Sequence, residues 1–165
     1  MHIRNEGIAD IEAIRRVNEA AFGQPAEARL VDALREQATP FLSLVADDDG
    51  AIVGHICFTP VEAGHTTILG LAPMAVLPER QKEGIGTKLI EAGLAACRRA
   101  GFGAVVVLGH PQYYPRFGFE PAATKGLRSE YDVPHEAFML LELVPGAAAG
   151  LEGVARYHRA FSDFV

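Results

Sequence analysis

A mixed α/β sheet covered by helices is the fold class this chain predicts. Three observations carry it. Apolar runs of strand length alternate with stretches of helical periodicity, Ala104 to Leu108 is apolar throughout as a buried strand would be, and a glycine-rich turn joins a strand-like run to a helix-like one in mid-chain. With 165 residues, 49% of them apolar, the chain suits a single domain over 1–165 with a substantial core.

Ile3 to Asn5 reads as a short first strand. Asp10 then stands as an N-cap before an amphipathic helix with Ile11, Ile14, Val17 and Ala21 on one face, and a second helix is expected over Ala26 to Glu36. Phe41 to Ala46 and Ala51 to Phe58 flank Asp47-Asp48-Asp49-Gly50, a hairpin signature. Those aspartates form a turn rather than a calcium loop, since no closing glutamate follows at the required spacing. Thr67 to Val76 continues the sheet, Thr87 to Arg99 is the next helix, and Ala104 to Leu108 the next strand. Pro111 and Pro115 limit Gln112 to Phe117 to a short helix at most, and Phe138 to Val144 is the best remaining strand. The last stretch, with Val154, Tyr157 and Phe161, is expected to pack over the sheet.

Composition narrows the function. A net charge of −6 argues against a nucleic-acid surface, which needs clustered lysine and arginine. No apolar run reaches the roughly 20 residues of a membrane span, and Met1-His2-Ile3-Arg4-Asn5-Glu6 lacks a signal-peptide core, so the expected location is cytoplasmic and no membrane partner is expected. Cys57 and Cys97 are too few for a metal cluster or a disulfide framework, and Cys97 shares a helical face with Leu89, Ile90, Gly93 and Leu94. A thiol nucleophile paired with His55, two residues from Cys57 on the same strand face, finds no third group to complete it. No metal site is expected.

Gln81-Lys82-Glu83-Gly84-Ile85-Gly86 is the informative segment. Glycines at a strand-to-helix turn let the backbone approach a ligand, and the first N–H groups of the following helix lack intrahelical partners, so the turn is suited to a pyrophosphate. A Walker loop fails because Gly86-Thr87-Lys88 has the order wrong, and a dinucleotide fingerprint fails at Leu89, where its third glycine belongs. Between Pro78 and Lys88 three basic residues, Arg80, Lys82 and Lys88, face two acidic ones, Glu79 and Glu83, a local excess of positive charge in an acidic chain.

The pattern Gln/Arg-x-x-Gly-x-Gly/Ala, filled here by Gln81, Gly84 and Gly86, resembles the coenzyme A pyrophosphate loop of the GNAT superfamily, the GCN5-related N-acetyltransferases. Leu69 to Pro78 resembles the family's central strand, which ends in Val-x-Pro before the loop, and Tyr114-Pro115-Arg116-Phe117-Gly118-Phe119 its Tyr-x-x-x-Gly-Phe element. The double tyrosine and Pro-Arg-Phe-Gly-Phe run are most similar to the YhbS-type predicted acetyltransferases. The resemblance implies a sheet whose central strand splays from the strand after the loop helix, with acetyl-CoA, as cosubstrate, in the cleft. It implies cofactor contacts from Gln81, Lys82, Glu83, Gly84, Ile85, Gly86 and Thr87, and from the backbone of Met74, Ala75 and Val76, with Ala75 or Met74 directing an N–H at the thioester oxygen. It further implies Tyr114 as general acid toward the departing thiolate, with Tyr113 out of register for that role. A glutamate base found on the central strand of some relatives has no counterpart, because Thr66 to Val76 contains no carboxylate. His110, just after the Ala104 to Leu108 strand, is the candidate base by position, ahead of His55, Glu19, Glu62 and Glu120. The implied activity is direct acetyl transfer to a primary amine of a small molecule or peptide in a ternary complex, and the alternative is a non-catalytic acyl-CoA-binding module. Oligomeric state leaves no mark on the sequence, with which a homodimer is compatible.

Overall fold

The computed structural model describes residues 1–164. Its elements are β1 (His2–Asn5), α1 (Ile11–Phe22), α2 (Ala26–Gln37), β2 (Leu42–Asp48), β3 (Ala51–Ala63), β4 (Thr66–Val76), α3 (Ile85–Arg99), β5 (Ala104–Leu108), β6 (Glu120–Pro121), β7 (Leu127–Ser129), β8 (Phe138–Glu142) and β9 (Gly153–Tyr157), with short 3-10 turns between them. Among the described residues the strands form one mixed nine-stranded sheet, seven of them in the order β1-β2-β3-β4-β5-β8-β6, with β9 pairing β3 and β7 pairing β9 off this path. The first three junctions are antiparallel, and β4 runs parallel to β5.

Local chemistry sets several boundaries. Asp49 and Gly50 form the two-residue turn between β2 and β3, both with positive φ (52° and 90°), the backbone that hairpin turns of this length demand. Asp47 reinforces it by accepting the Gly50 N–H at 2.7 Å. Asp10 does not cap α1 with its side chain. Its carboxylate instead accepts the Gly7 N–H and pairs with Arg4 at 2.7 Å, so the stronger charge partner wins over the helix start. The C-terminal stretch also differs from expectation: Gly153–Tyr157 is a strand that pairs with β3 at Val61 to Ala63, beyond the end of β2, and Ala155, Tyr157, Ala160 and Phe161 join the buried core.

Two apolar layers result, one on each sheet face. The α1 and α2 side collects Ile14, Leu30, Leu34, Val45, Cys57 and Val61, and the α3 side collects Phe58, Ile56, Leu69, Leu89, Ile90 and Cys97. Leu89 and Ile90 are fully buried, each contributing roughly 1.5–3 kcal/mol by leaving water. Glycines set how closely α3 approaches: a Cβ on Gly93 would lie 2.4 Å from the Phe58 ring, and one on Gly54 2.9 Å from Leu89.

Between α1 and the sheet runs a directed polar chain. Asn18 Nδ2 donates to the Ile14 carbonyl and reaches His55 Nδ1 at 3.2 Å, which assigns the His55 proton to Nε2, 2.9 Å from Ser43 Oγ. The Ser43 hydroxyl donates to Glu6, and Glu6 pairs with Arg35 at 2.7 Å. Complete burial, with Arg35 adding to it, pushes the His55 imidazole down to about 3. His55 is thus a neutral structural link, removed from the role of catalytic base, and burial drives the neighbouring Cys57 thiol away from its reactive form.

Candidate active site

The site begins where β4 and β5 part. They pair only at Leu69–Val105 and Gly70–Val106, after which β5 stays with β8 and β4 continues to Val76 paired with β3 alone. One extra residue on β4 assists the divergence: β3 advances from Ile56 to Phe58 while β4 steps from Met74 to Leu71, a bulge at Ala72-Pro73 whose Ala72 carbonyl accepts from Cys57 Sγ at 3.3 Å.

The register decides which main-chain groups face the gap. Leu77 N–H donates to the Val53 carbonyl, and the same alternation gives the N–H and C=O of Ala75 to His55. Met74 and Val76, at the intervening positions, therefore turn their N–H and C=O toward the edge that β5 has left. Gln81 Nε2 already binds the Val76 carbonyl at 3.2 Å, tying the loop to the strand.

The loop is held from outside. Arg80 pairs with Glu83 at 3.0 Å and with Asp48 at 2.9 Å, so Glu83 is spent on the loop's own shape. Both carboxylates hold the Arg80 guanidinium in its charged form. Gly84 takes φ 85° as the residue before α3, a left-handed conformation that costs a side-chain-bearing residue roughly 1–2 kcal/mol. The first hydrogen bond of α3 runs from Lys88 N–H to the Gly84 carbonyl, which leaves the N–H groups of Ile85, Gly86 and Thr87 without intrahelical acceptors and gathers partial positive charge there.

A cavity of about 720 Å³ occupies the gap, within the range of small-molecule and cofactor sites. Met74, Ala75 and Val76 form one wall and Gln81, Lys82, Gly84, Ile85, Gly86 and Thr87 another. Ala21 and Phe22, from the end of α1, close the opposite face of the sheet, and His110, Tyr113 and Arg116 complete the rim. Arg80, Lys82 and Arg116 bring positive charge, and no carboxylate is among the described lining residues. The wall thus suits a polyanion in a chain of net charge −6.

The two tyrosines separate. Tyr113 faces the cavity, its hydroxyl 3.3 Å from Thr87 Oγ1. Tyr114 lies beneath, 8% exposed, edge-on to Tyr113 and Phe119 with centroids 5.2 and 5.7 Å away. Its ring rests on Gly109, where a Cβ would come within 2.3 Å. Burial pushes the Tyr114 phenol up to about 12.

Residues 40–121 match the Acetyltransferase (GNAT) domain. The chain is also 37% identical over 167 residues to the uncharacterized N-acetyltransferase YhbS of Escherichia coli K12, covering 99% of this chain and all of that protein. The chain belongs to the GNAT acetyltransferases. A second E. coli K12 member, the uncharacterized N-acetyltransferase YjhQ, is 41% identical over 157 residues, which cover 90% of this chain and 87% of the other. Among solved structures, E. coli YhbS in complex with CoA superposes with a TM-score of 0.93 at 37% identity, over 99% of this chain and 93% of that one. A GNAT acetyltransferase from Brucella melitensis in complex with acetyl-CoA gives 0.81 at 42% identity over 97% of each. The splayed mixed sheet is thus the GNAT fold, and this chain is an acetyltransferase of a class that acts on amines.

Of the residues singled out in the sequence, Met74, Ala75, Val76, Gln81, Lys82, Gly84, Ile85, Gly86, Thr87 and His110 meet at this GNAT cavity. Glu83 and Tyr114 stand behind its walls. Ala21, Phe22, Tyr113 and Arg116 were not expected there. For Tyr113 and Arg116 the signal was at hand, since they stand three residues apart at a 3-10 turn over Tyr114–Phe117, the spacing that puts two side chains on one side. For Phe22, helical periodicity stops at the helix end and says nothing of what lies beyond. Among the described residues, no helix is long and apolar enough to cross a membrane.

Proposed function

We propose that this enzyme transfers the acetyl group of acetyl-CoA to a primary amine of a small molecule or peptide, by direct attack in a ternary complex within a single domain spanning 1–165. The observation that carries this reading is the meeting, in one basic cavity, of the free edge of β4 with the unpaired N–H groups that open α3. The CoA and acetyl-CoA complexes of the two similar GNAT proteins support it. We place its work in the cytoplasm, without a nucleic-acid or membrane partner.

Each residue then has a task. N–H groups of Ile85, Gly86 and Thr87 take the pyrophosphate, with Gly84 shaping the approach and Lys82 supplying charge, while Gln81 and Glu83 hold the loop. Met74 and Val76 hold the pantetheine arm by their backbones, and Ala75 contributes a small side chain to the wall while its N–H stays with His55. This favours Met74 over Ala75 as donor to the thioester oxygen. The neutral amine attacks the carbonyl carbon, a C–N bond forms, and His110 at the cavity rim takes the amine proton. The C–S bond breaks, sulfur keeps the electron pair, and Tyr114 supplies its proton. At about 12 the phenol is a reluctant donor.

A thiol-release assay with acetyl-CoA across a panel of primary amines tests this proposal. Amine-dependent release with matching amide product is expected. CoA binding without release on any amine or peptide would leave an acyl-CoA-binding module.

A further inference from the structure

The cavity rim opposite the loop carries a cation with no acidic partner. Arg116 Nε donates to the Tyr113 carbonyl at 3.0 Å and its guanidinium lies over the Tyr113 ring at 4.5 Å. It forms no ion pair among the described residues, in contrast to Arg80, which is pinned by Asp48 and Glu83. The guanidinium is therefore braced in place by a backbone acceptor and an aromatic face, with its terminal N–H groups left to the cavity it lines.

Its placement relative to the loop identifies a ligand group. The Tyr113 ring, which carries Arg116 over its face, holds its hydroxyl 3.3 Å from Thr87 Oγ1 and 3.5 Å from the point where a Gly86 Cβ would stand. Tyr113 thus spans from the start of α3 outward to Arg116. An anion on the α3 N–H groups meets the hydroxyl end, and Arg116 is left for a second anionic group of the same ligand. Resting on the acetyl-CoA reading above, we propose that Arg116, braced on Tyr113, seats the ribose 3′-phosphate of the cofactor, while the loop takes the pyrophosphate. A planar guanidinium can give a phosphate two parallel hydrogen bonds.

Calorimetric titration with CoA and with 3′-dephospho-CoA, on the wild-type enzyme and on Arg116→Ala and Arg116→Lys, tests the assignment. Arg116 is exposed at the surface, so both variants should fold, which thermal denaturation verifies. Wild type should prefer CoA to the dephospho form by about 10-fold, the scale of one charge-assisted contact in a solvated site. Arg116→Ala should lose that preference by weakening CoA alone, and Arg116→Lys should keep part of it. Equal weakening of both ligands would place Arg116 on the pyrophosphate or in the scaffold and overturn the proposal, as would no effect on either. A wild-type protein that binds neither ligand would instead overturn the acetyl-CoA reading itself.

Discussion

Replacing Gly86 with valine separates what the fold requires from what the ligand requires. Gly86 is the second residue of α3, and a Cβ there would meet only Tyr113 Oη at 3.5 Å and the Met74 side chain at 3.6 Å, ordinary contacts. Valine is also a slightly better helix former than glycine, by a few tenths of a kcal/mol. The unliganded variant should therefore melt close to wild type. Its two methyls, however, project into the space where phosphate oxygens must approach the Gly86 and Thr87 N–H groups. Loss of one such charge-assisted hydrogen bond costs about 1.5–3 kcal/mol, or about 10- to 100-fold in dissociation constant. Gly84→Ala makes the useful contrast, since its Cβ would meet nothing within 4 Å but φ stands at 85°, so about 1–2 kcal/mol of folding stability should go with no ligand present. Calorimetric titration with CoA and thermal denaturation of both variants supply the readouts. A folded Gly86→Val protein that binds CoA as tightly as wild type would refute the assignment of this helix start to the pyrophosphate.

Tyr114→Phe should keep the ring seated on Gly109 and leave CoA affinity unchanged while kcat on an established amine falls by about 10²–10⁴-fold; full turnover would make Tyr114 a packing residue. His110→Ala should lower kcat on an established amine with CoA affinity unchanged if His110 collects the amine proton, and full turnover would assign that step to water or another group. His55, held near 3 in the fold and titrating at about 6.5 when unfolded, lets the unfolded chain bind the extra proton. The stability this lends is complete above about pH 6.5 and is lost as pH falls toward 3, amounting to roughly 2 kcal/mol by pH 5. Urea unfolding at pH 7 and pH 5 should show that loss in wild type and a shallower one in His55→Gln; parallel losses would dismiss His55 as the source.

The loop was legible because phosphate recognition by a helix start needs particular residues at fixed spacing, and Gln81, Gly84 and Gly86 are such residues. Element order was legible for a similar reason: the aspartates before Gly50, the apolar run from Ala104 and the face through Leu89, Ile90 and Cys97 each carry a local period. The parting of β4 from β5 was not, since it depends on where pairing stops, and neither Gly70 nor Val106 marks that point. Side-chain placement across the sheet was hidden as well. Nothing local to Arg80 announces Asp48, nothing local to Glu6 announces Arg35, and His55 is held by Asn18 and Ser43 from two other elements. Tyr113 and Tyr114 are adjacent in sequence yet part between rim and interior, where the Tyr114 ring lies against Gly109, five residues earlier.

The unpaired edge of β4 also bears on how the sequence can change. What Met74 and Val76 offer the cleft is main chain, common to nineteen of the twenty encoded residues, so drift at these positions can reshape the wall without deleting a donor. Proline is the exception, because it alone lacks the N–H. Constraint therefore moves from the contacts to whatever holds the edge open: the bulge at Ala72-Pro73, the point where pairing with β5 ends, and Gln81 on the Val76 carbonyl. Capacity for the donor is written in where a strand loses its neighbour, and the side chains around it remain at liberty to follow the acceptor.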